Sequence, residues 1–170
     1  MDEVVIRSAG RKDAAAVAAI YRPIVTGTVI SFELKPPTAE EMAQRMERAG
    51  DSHAWLVADV GGAIAGCAYG KPHRPRAAYQ HAVETSAYIH GDFRGRGIAG
   101  RLYEQLFRDL AGKGYFHAFA GITLPNDASV ALHKSVGFTS IDCFPRVGYK
   151  LGAWHDVSWW YAEIRNGEPG

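Results

Sequence analysis

The hydrophobic positions of this chain follow two rhythms, period two over short stretches and a helical period over longer ones, and the two take turns. Residues 4–7 (VVIR) read as a short first strand. Asp13 then caps a helix whose apolar positions Val17, Ile20, Tyr21 and Ile24 keep i, i+3, i+4, i+7 spacing. Residues 26–32 end at Lys35-Pro36-Pro37, which predicts a loop or a short strand. Thr38 followed by Glu41 is a capping-box pattern and opens a second helix running to about Ala49. Two apolar runs, 54–58 and 64–69, flank Gly61-Gly62 and predict a hairpin.

A polar loop over 71–81 leads to a fourth strand at 82–89 and a glycine-rich turn at 91–97. The next helix carries Ile98, Leu102, Leu106 and Leu110 on one face and stops at Gly112 and Gly114. Residues 116–124 predict a fifth strand, and Pro125-Asn126-Asp127 opens a helix through Val136 that Gly137 ends. A sixth strand is expected at 138–143, a turn at 148–152 and a last strand at 157–164. The order is a hairpin first, then strand–helix–strand–helix–strand. That predicts a mixed α/β (α+β-like) fold with one central sheet covered by helices.

A length of 170 residues suits one domain, expected over 1–165 with a flexible tail at 166–170. Apolar residues at 47% and charged residues at 22% are ordinary for a soluble globular chain. Lys plus Arg number 19 against 18 Asp plus Glu, so the net charge of +1 argues against a nucleic-acid partner, which needs a large positive excess. No apolar run approaches a membrane span. The nearest stretch, 54–70, is interrupted by Asp59 and four glycines. The N-terminus lacks the pattern of a signal peptide, so a cytoplasmic protein with no membrane partner is expected. Cys67 and Cys143 lie in apolar stretches and read as buried free thiols.

The most informative segment runs from Glu84 through Tyr88-Ile89-His90 into Arg94-Gly95-Arg96-Gly97-Ile98-Ala99-Gly100. A strand delivers closely spaced glycines to a helix start. There, backbone N–H groups and the helix dipole together favour a phosphate or diphosphate. The alternative is a tight turn that binds nothing, but three glycines beside Arg94 and Arg96 favour the cradle. Gly95-x-Gly97-x-x-Gly100 also satisfies the dinucleotide pattern. That pattern needs an acidic residue ending the next strand, and residues 116–123 hold no Asp or Glu. No Gly-Lys-Ser/Thr follows, which excludes a nucleoside-triphosphate loop.

Arg94-Gly95-Arg96-Gly97-Ile98-Ala99 resembles the R/Q-x-x-G-x-G/A motif of the Gcn5-related N-acetyltransferases (GNAT), whose backbone amides hold the diphosphate of acetyl-CoA. The resemblance runs nearly end to end and is nearest to the phosphinothricin and methionine sulfoximine acetyltransferase branch. Its marks are the stretch 72–84, Pro125-Asn126-Asp127, Leu132-His133, Gly137-Phe138 and Gly148-Tyr149-Lys150-x-Gly152-x-Trp154-His155-Asp156-Val157. The resemblance implies a mostly antiparallel, splayed sheet and transfer of an acetyl group from acetyl-CoA to the α-amine of a small amino-acid-like acceptor. The acceptor would be of the phosphinothricin, methionine sulfoximine or methionine sulfone type. It also implies a homodimer.

On that resemblance the cofactor would meet Ala87, Tyr88 and Ile89 along the splayed strand, the turn Arg94, Gly95, Arg96, Gly97, Ile98, Ala99 and Gly100, and Asn126 beside the pantetheine arm. Glu84 is the candidate base, directly or through a water. Its alternatives are a surface position or a structural pair with Arg74 or Arg76. Strand alternation puts Glu84, Ser86 and Tyr88 on one face and Val83, Thr85, Ala87 and Ile89 on the other. His133 stands at the family's acid position, as acid or as a hydrogen-bond donor near the sulfur; an ordinary helix residue is the bland alternative.

For the acceptor, Arg74, Pro75 and Arg76 fall where related enzymes recognise an amino acid, followed by Glu84, Thr85 and Ser86. Guanidinium forks suit carboxylate and phosphinate oxygens. Phe32 matches an aromatic that borders the acceptor. Two positions depart from the pattern: His73 replaces an aromatic ahead of the basic pair, and Ile30-Ser31 replace a polar pair. The remaining histidines show no metal-ligand spacing, so no metal is expected. Trp154, Trp159 and Trp160 read as core or dimer packing. Two rival readings stay open at this point. One keeps the fold but acetylates a polyamine, an antibiotic amine or a protein N-terminus; the other is a noncatalytic acyl-CoA-binding module.

Overall fold

The computed structural model describes residues 2–170. Seven strands form one sheet in the order β1-β2-β3-β4-β5-β7-β6. They are β1 (Val4–Ser8), β2 (Trp55–Val60), β3 (Ala63–Pro72), β4 (Ala82–Ile89), β5 (His117–Thr123), β6 (Thr139–Lys150) and β7 (Ala153–Glu163). Every neighbouring pair is antiparallel except β4 and β5. Helices α1 (Ala14–Gly27) and α2 (Ala39–Ala49) pack on one side, and α3 (Ile98–Gly112) on the other with α4 (Asp127–Ser135) beside it. The expected mixed α/β class, with a mostly antiparallel central sheet flanked by helices, is what the chain forms. Among the described residues no helix is long and apolar enough to cross a membrane.

Two cores follow from alternation along the strands. On β2, Leu56, Ala58 and Val60 point to α3 while Val57 points to α1 and α2, where Cys67 of β3 joins it. The α3 face predicted from sequence (Ile98, Leu102, Leu106, Leu110) is buried to 2% exposure or less, worth about 1.5–3 kcal/mol for each full-size side chain. Thr38 and Glu41 close the expected capping box on α2. Burial pushes the Cys67 thiol up to about 12. Cys143, expected buried, is only half-buried because β6 is an edge strand.

Asp13 does something other than cap α1. Its carboxylate accepts from both Arg7 terminal nitrogens (2.9 and 2.8 Å) and from the Gly10 amide (2.8 Å), bolting β1 to the turn before α1. The Arg7 guanidinium, helped by the Gly10 amide, holds the Asp13 carboxyl below the usual carboxylate range against the opposing effect of burial. A depressed carboxyl stabilises the fold above its unfolded value, near 3.9, and that contribution fades as pH falls through its folded value. The urea midpoint should therefore drop as pH goes below about 4, and the drop should shrink in Asp13→Asn.

The hairpin β6–β7 departs most from expectation. Gly148, read as part of a turn, lies inside β6, and β7 starts four residues earlier than the sequence suggests. The cause is a bulge between Phe144 and Gly148, which absorbs Pro145 and a left-handed Arg146 (φ 47°). The Arg146 amide donates to Asp156 Oδ1 at 2.7 Å, so a side chain from β7 replaces the missing ladder bond.

Candidate active site

Strands β4 and β5 pair at only three positions, Ala82–His117, Val83–Ala118 and Glu84–Phe119, and then part. From Thr85 to Ile89 the β5-facing edge of β4 has no strand partner, so its backbone groups are free to bind a ligand. Ala87, Tyr88 and Ile89 all lie on that edge. It leads through a short 3-10 turn (Gly91–Phe93) into the glycine turn.

There Gly95 (φ 74°) and Gly97 (φ 71°) take left-handed conformations that side chains rarely adopt. A Cβ built on Gly95, Gly97 or Gly100 would meet nothing within 4 Å, so the protein leaves that surface clear. The first turn of the 15-residue α3 presents its amides here. Arg94 is exposed, and Arg96 lies over the Phe93 ring at 5.0 Å and donates to the Asp92 carbonyl. Ile98 is buried under the turn and Ala99 sits half-buried above it. The turn thus offers exposed backbone amides flanked by two guanidinium groups, an arrangement that suits an anion such as a diphosphate. Asn126 caps α4, its Oδ1 accepting from the Ser129 amide at 3.1 Å.

On the α1–α2 side of β4 lies a cavity of about 780 Å3. Glu84, Ser86 and Tyr88 reach it from β4, as strand alternation requires, with Thr85 at its border. Tyr21, Tyr69 and Tyr88 form an aromatic wall whose phenols burial pushes up, so they stay neutral. Phe32 and Glu33 come from the loop over 28–37. Arg45 grips Glu33 with both terminal nitrogens, and that fork holds the Glu33 carboxyl below its usual range.

Arg74, Pro75 and Arg76 do not line the cavity; they are exposed on the loop between β3 and β4. The cations that do line it are Arg45, Arg48 and Lys71, and Lys71 sits directly across the ladder from Glu84. Nothing in their local spacing marks them, because α2 and β3 meet over the site only in the fold.

Glu84 is 16% exposed, and the alternative weighed against its role as base, a structural pair with Arg74 or Arg76, is not formed. Its nearest ionic neighbour is His73, whose Nδ1 lies 3.6 Å from Oε2. His133 is placed in the core, 7% exposed and outside the cavity lining. Its Nδ1 donates to the Ser129 carbonyl at 2.7 Å, so the neutral ring offers Nε2 as an acceptor, and the Tyr103 hydroxyl fills it at 3.1 Å. Tyr103 in turn accepts from Thr85 at 3.5 Å. Burial lowers the basicity of His133. The imidazole thus braces Tyr103 and Thr85 beneath the site, and reaching a ligand would require it to release Tyr103.

The loop carrying Phe32 is stitched to the β6–β7 hairpin. The buried Lys150 ammonium donates to the Ser31 carbonyl at 2.6 Å, and burial lowers its pKa. Tyr21 and Ser31 share a hydrogen bond of 2.5 Å. Gly148 leaves room for Phe32, since a Cβ there would overlap the ring. The exposed ring can swing aside, so Gly148→Ala should cost little stability. With Phe32 bordering an acceptor, as the sequence leads one to expect, that variant should raise the acceptor KM about tenfold and leave acetyl-CoA affinity unchanged, measured by steady-state rates and calorimetry.

The chain matches the acetyltransferase (GNAT) family over residues 19–138. It is 36% identical to phosphinothricin N-acetyltransferase from Streptomyces viridochromogenes, over 98% of this chain and 91% of that one. It is 33% identical to the L-methionine sulfoximine/L-methionine sulfone acetyltransferase of Pseudomonas aeruginosa, over 90% of each chain. Among solved structures it is similar to a phosphinothricin acetyltransferase from Sinorhizobium meliloti in complex with acetyl-CoA. There the TM-score is 0.90 at 31% identity, covering 94% of this chain and 88% of that one.

Proposed function

The chain belongs to the acetyltransferase (GNAT) family, and from that premise we propose that it transfers the acetyl group of acetyl-CoA to the α-amine of a small amino-acid-like acceptor, phosphinothricin, methionine sulfoximine or methionine sulfone in type. One observation carries the reading: Glu84 faces the cavity at the residue where β4 and β5 separate, on the strand that leads to the glycine turn. Acetyl-CoA laid along β4 from that turn brings its thioester to the carboxylate. The noncatalytic acyl-CoA module gives way to an enzyme.

Ala87, Tyr88, Ile89, the turn 94–100 and Asn126 are the proposed cofactor contacts. Phe32, Thr85 and Ser86 are the proposed acceptor contacts in the cavity wall, joined there by Arg48 and Lys71, and Arg74, Pro75 and Arg76 are proposed to meet the acceptor from the exposed loop outside that wall. The acceptor's ammonium loses a proton to Glu84, and the freed amine attacks the thioester carbonyl. A β4 amide aimed at the developing oxyanion stabilises it by a few kcal/mol, roughly 3–4 where one such donor has been removed from other enzymes. The nitrogen of the tetrahedral intermediate then sheds a second proton, which the departing thiolate takes up. The products are the N-acetyl amino acid and coenzyme A.

A thiol-release assay over phosphinothricin, methionine sulfoximine, methionine sulfone, ordinary amino acids, a polyamine and a peptide tests the acceptor class. Transfer to amino-acid amines with intersecting initial-rate lines supports direct transfer. Parallel lines would sink it, and transfer only to the polyamine or peptide would move the acceptor class. The reading extends to one domain over 1–165 with 166–170 as a tail, in the cytoplasm. It also includes a homodimer, supported by Phe144, Val147, Tyr149, Leu151 and Trp154, each 46–62% exposed on the β6–β7 hairpin. Sedimentation at micromolar concentration checks the dimer.

A further inference from the structure

His73 follows the end of β3 on the loop to β4, and its surroundings are unusual. The ring stacks on Phe119 (centroids 4.8 Å apart, 24° between planes) and meets Tyr79 edge-on at 5.6 Å. Phe119 is the β5 residue paired with Glu84, so the stack fixes His73 beside that carboxylate. Nδ1 is covered and makes no hydrogen bond, a state that buried polar atoms rarely keep. The carboxylate oxygen Oε2 of Glu84 faces it at 3.6 Å, which a small side-chain rotation closes to hydrogen-bond range. The side chain is 16% exposed, and since Nδ1 is covered, that exposed part lies elsewhere on it.

We propose that His73 is the proton partner of Glu84, a positioning residue that takes from the carboxyl the proton removed from the acceptor and passes it to water. Nδ1 accepts the proton, Glu84 returns to carboxylate, and the imidazolium then loses a proton to solvent. No other reactant is needed. The charged and titratable neighbours are Glu84 on β4, Lys71 across the ladder on β3, Tyr79, and exposed Arg74 and Arg76 on the same loop. Behind Phe119, Tyr161 bonds His117 at 3.0 Å. Among the ion pairs of the described residues, only His73 reaches Glu84.

The inference rests on Glu84 as base, and its test separates the two. His73→Phe keeps the stack and removes the nitrogen; His73→Asn keeps a polar group near Nδ1 that cannot take a proton. Both should lower kcat about tenfold, leave acetyl-CoA affinity unchanged and raise the solvent deuterium isotope effect on kcat, because the proton must then leave Glu84 without its partner, a readout that a merely structural role would not move. Wild-type rates in His73→Asn, or a solvent isotope effect unchanged in both variants, would overturn the proposal. An inactive Glu84→Gln beside fully active His73 variants would leave the base standing and remove only its partner; a fully active Glu84→Gln would remove both.

Discussion

Glu84→Gln is expected to lower kcat roughly 100- to 10,000-fold, about 3–5 kcal/mol of barrier, while acetyl-CoA binds as before. The substitution keeps the shape of the side chain and removes its capacity to take a proton. The amine of an amino acid arrives as an ammonium, which has no lone pair to attack with, so the loss falls on the reacting step. Glu84 lies on the cavity face of β4, away from the glycine turn, so the cofactor should not register the change. A single-turnover experiment with acetyl-CoA preloaded separates chemistry from product release. The deficit should persist there and ease as pH rises, because more of the acceptor is then already a free amine. A kcat within threefold of wild type would remove Glu84 as base.

What could be read from the sequence was what neighbouring residues decide. The α3 face, the capping box of Thr38 and Glu41, the Gly61-Gly62 hairpin and the side of β4 that Glu84 takes all follow from short-range periodicity or turn chemistry. The glycine turn was legible for the same reason, since conformations at φ near +70° select glycine wherever the chain needs them. The cavity wall was not. Lys150 meets Ser31 across 119 residues, and the fork of Arg45 on Glu33 joins a helix to a loop that carries no pattern. The Gly148 and Lys150 of the hairpin motif could have hinted at it: a glycine and a lysine inside an apolar strand need a close approach and a buried partner. The displaced boundary of β6 came from reading Gly148 as a turn, when the bulge at Pro145 lets the strand continue. The surroundings of His133 were illegible for another reason: a helix position says nothing about which of two layers its ring enters, and here the ring lies against the Tyr103 hydroxyl.

Gly97→Val should weaken acetyl-CoA on the order of 100-fold, about 2.8 kcal/mol, and cost the free protein roughly 1–2 kcal/mol of stability. The stability cost comes from the backbone: Gly97 has φ 71°, where an L-residue sets its Cβ against the following carbonyl, and no neighbouring atom lies within 4 Å to add a clash. The affinity cost comes from the other side of the turn, where the new methyls occupy the clear surface on which the amides must meet phosphate oxygens. Gly100→Ala separates the two effects. Gly100 lies in the first turn of α3 at an ordinary helical φ, also with nothing within 4 Å, so alanine should stabilise the protein by about 0.5–1 kcal/mol. If the diphosphate crosses that turn, the same variant binds acetyl-CoA about tenfold more weakly while melting higher, opposite signs that no general loosening of the fold can produce. In both variants saturating acetyl-CoA should restore most of kcat, the reverse of the Glu84→Gln pattern. Wild-type affinity by calorimetry in both would place the diphosphate elsewhere and detach the glycine turn from the reaction.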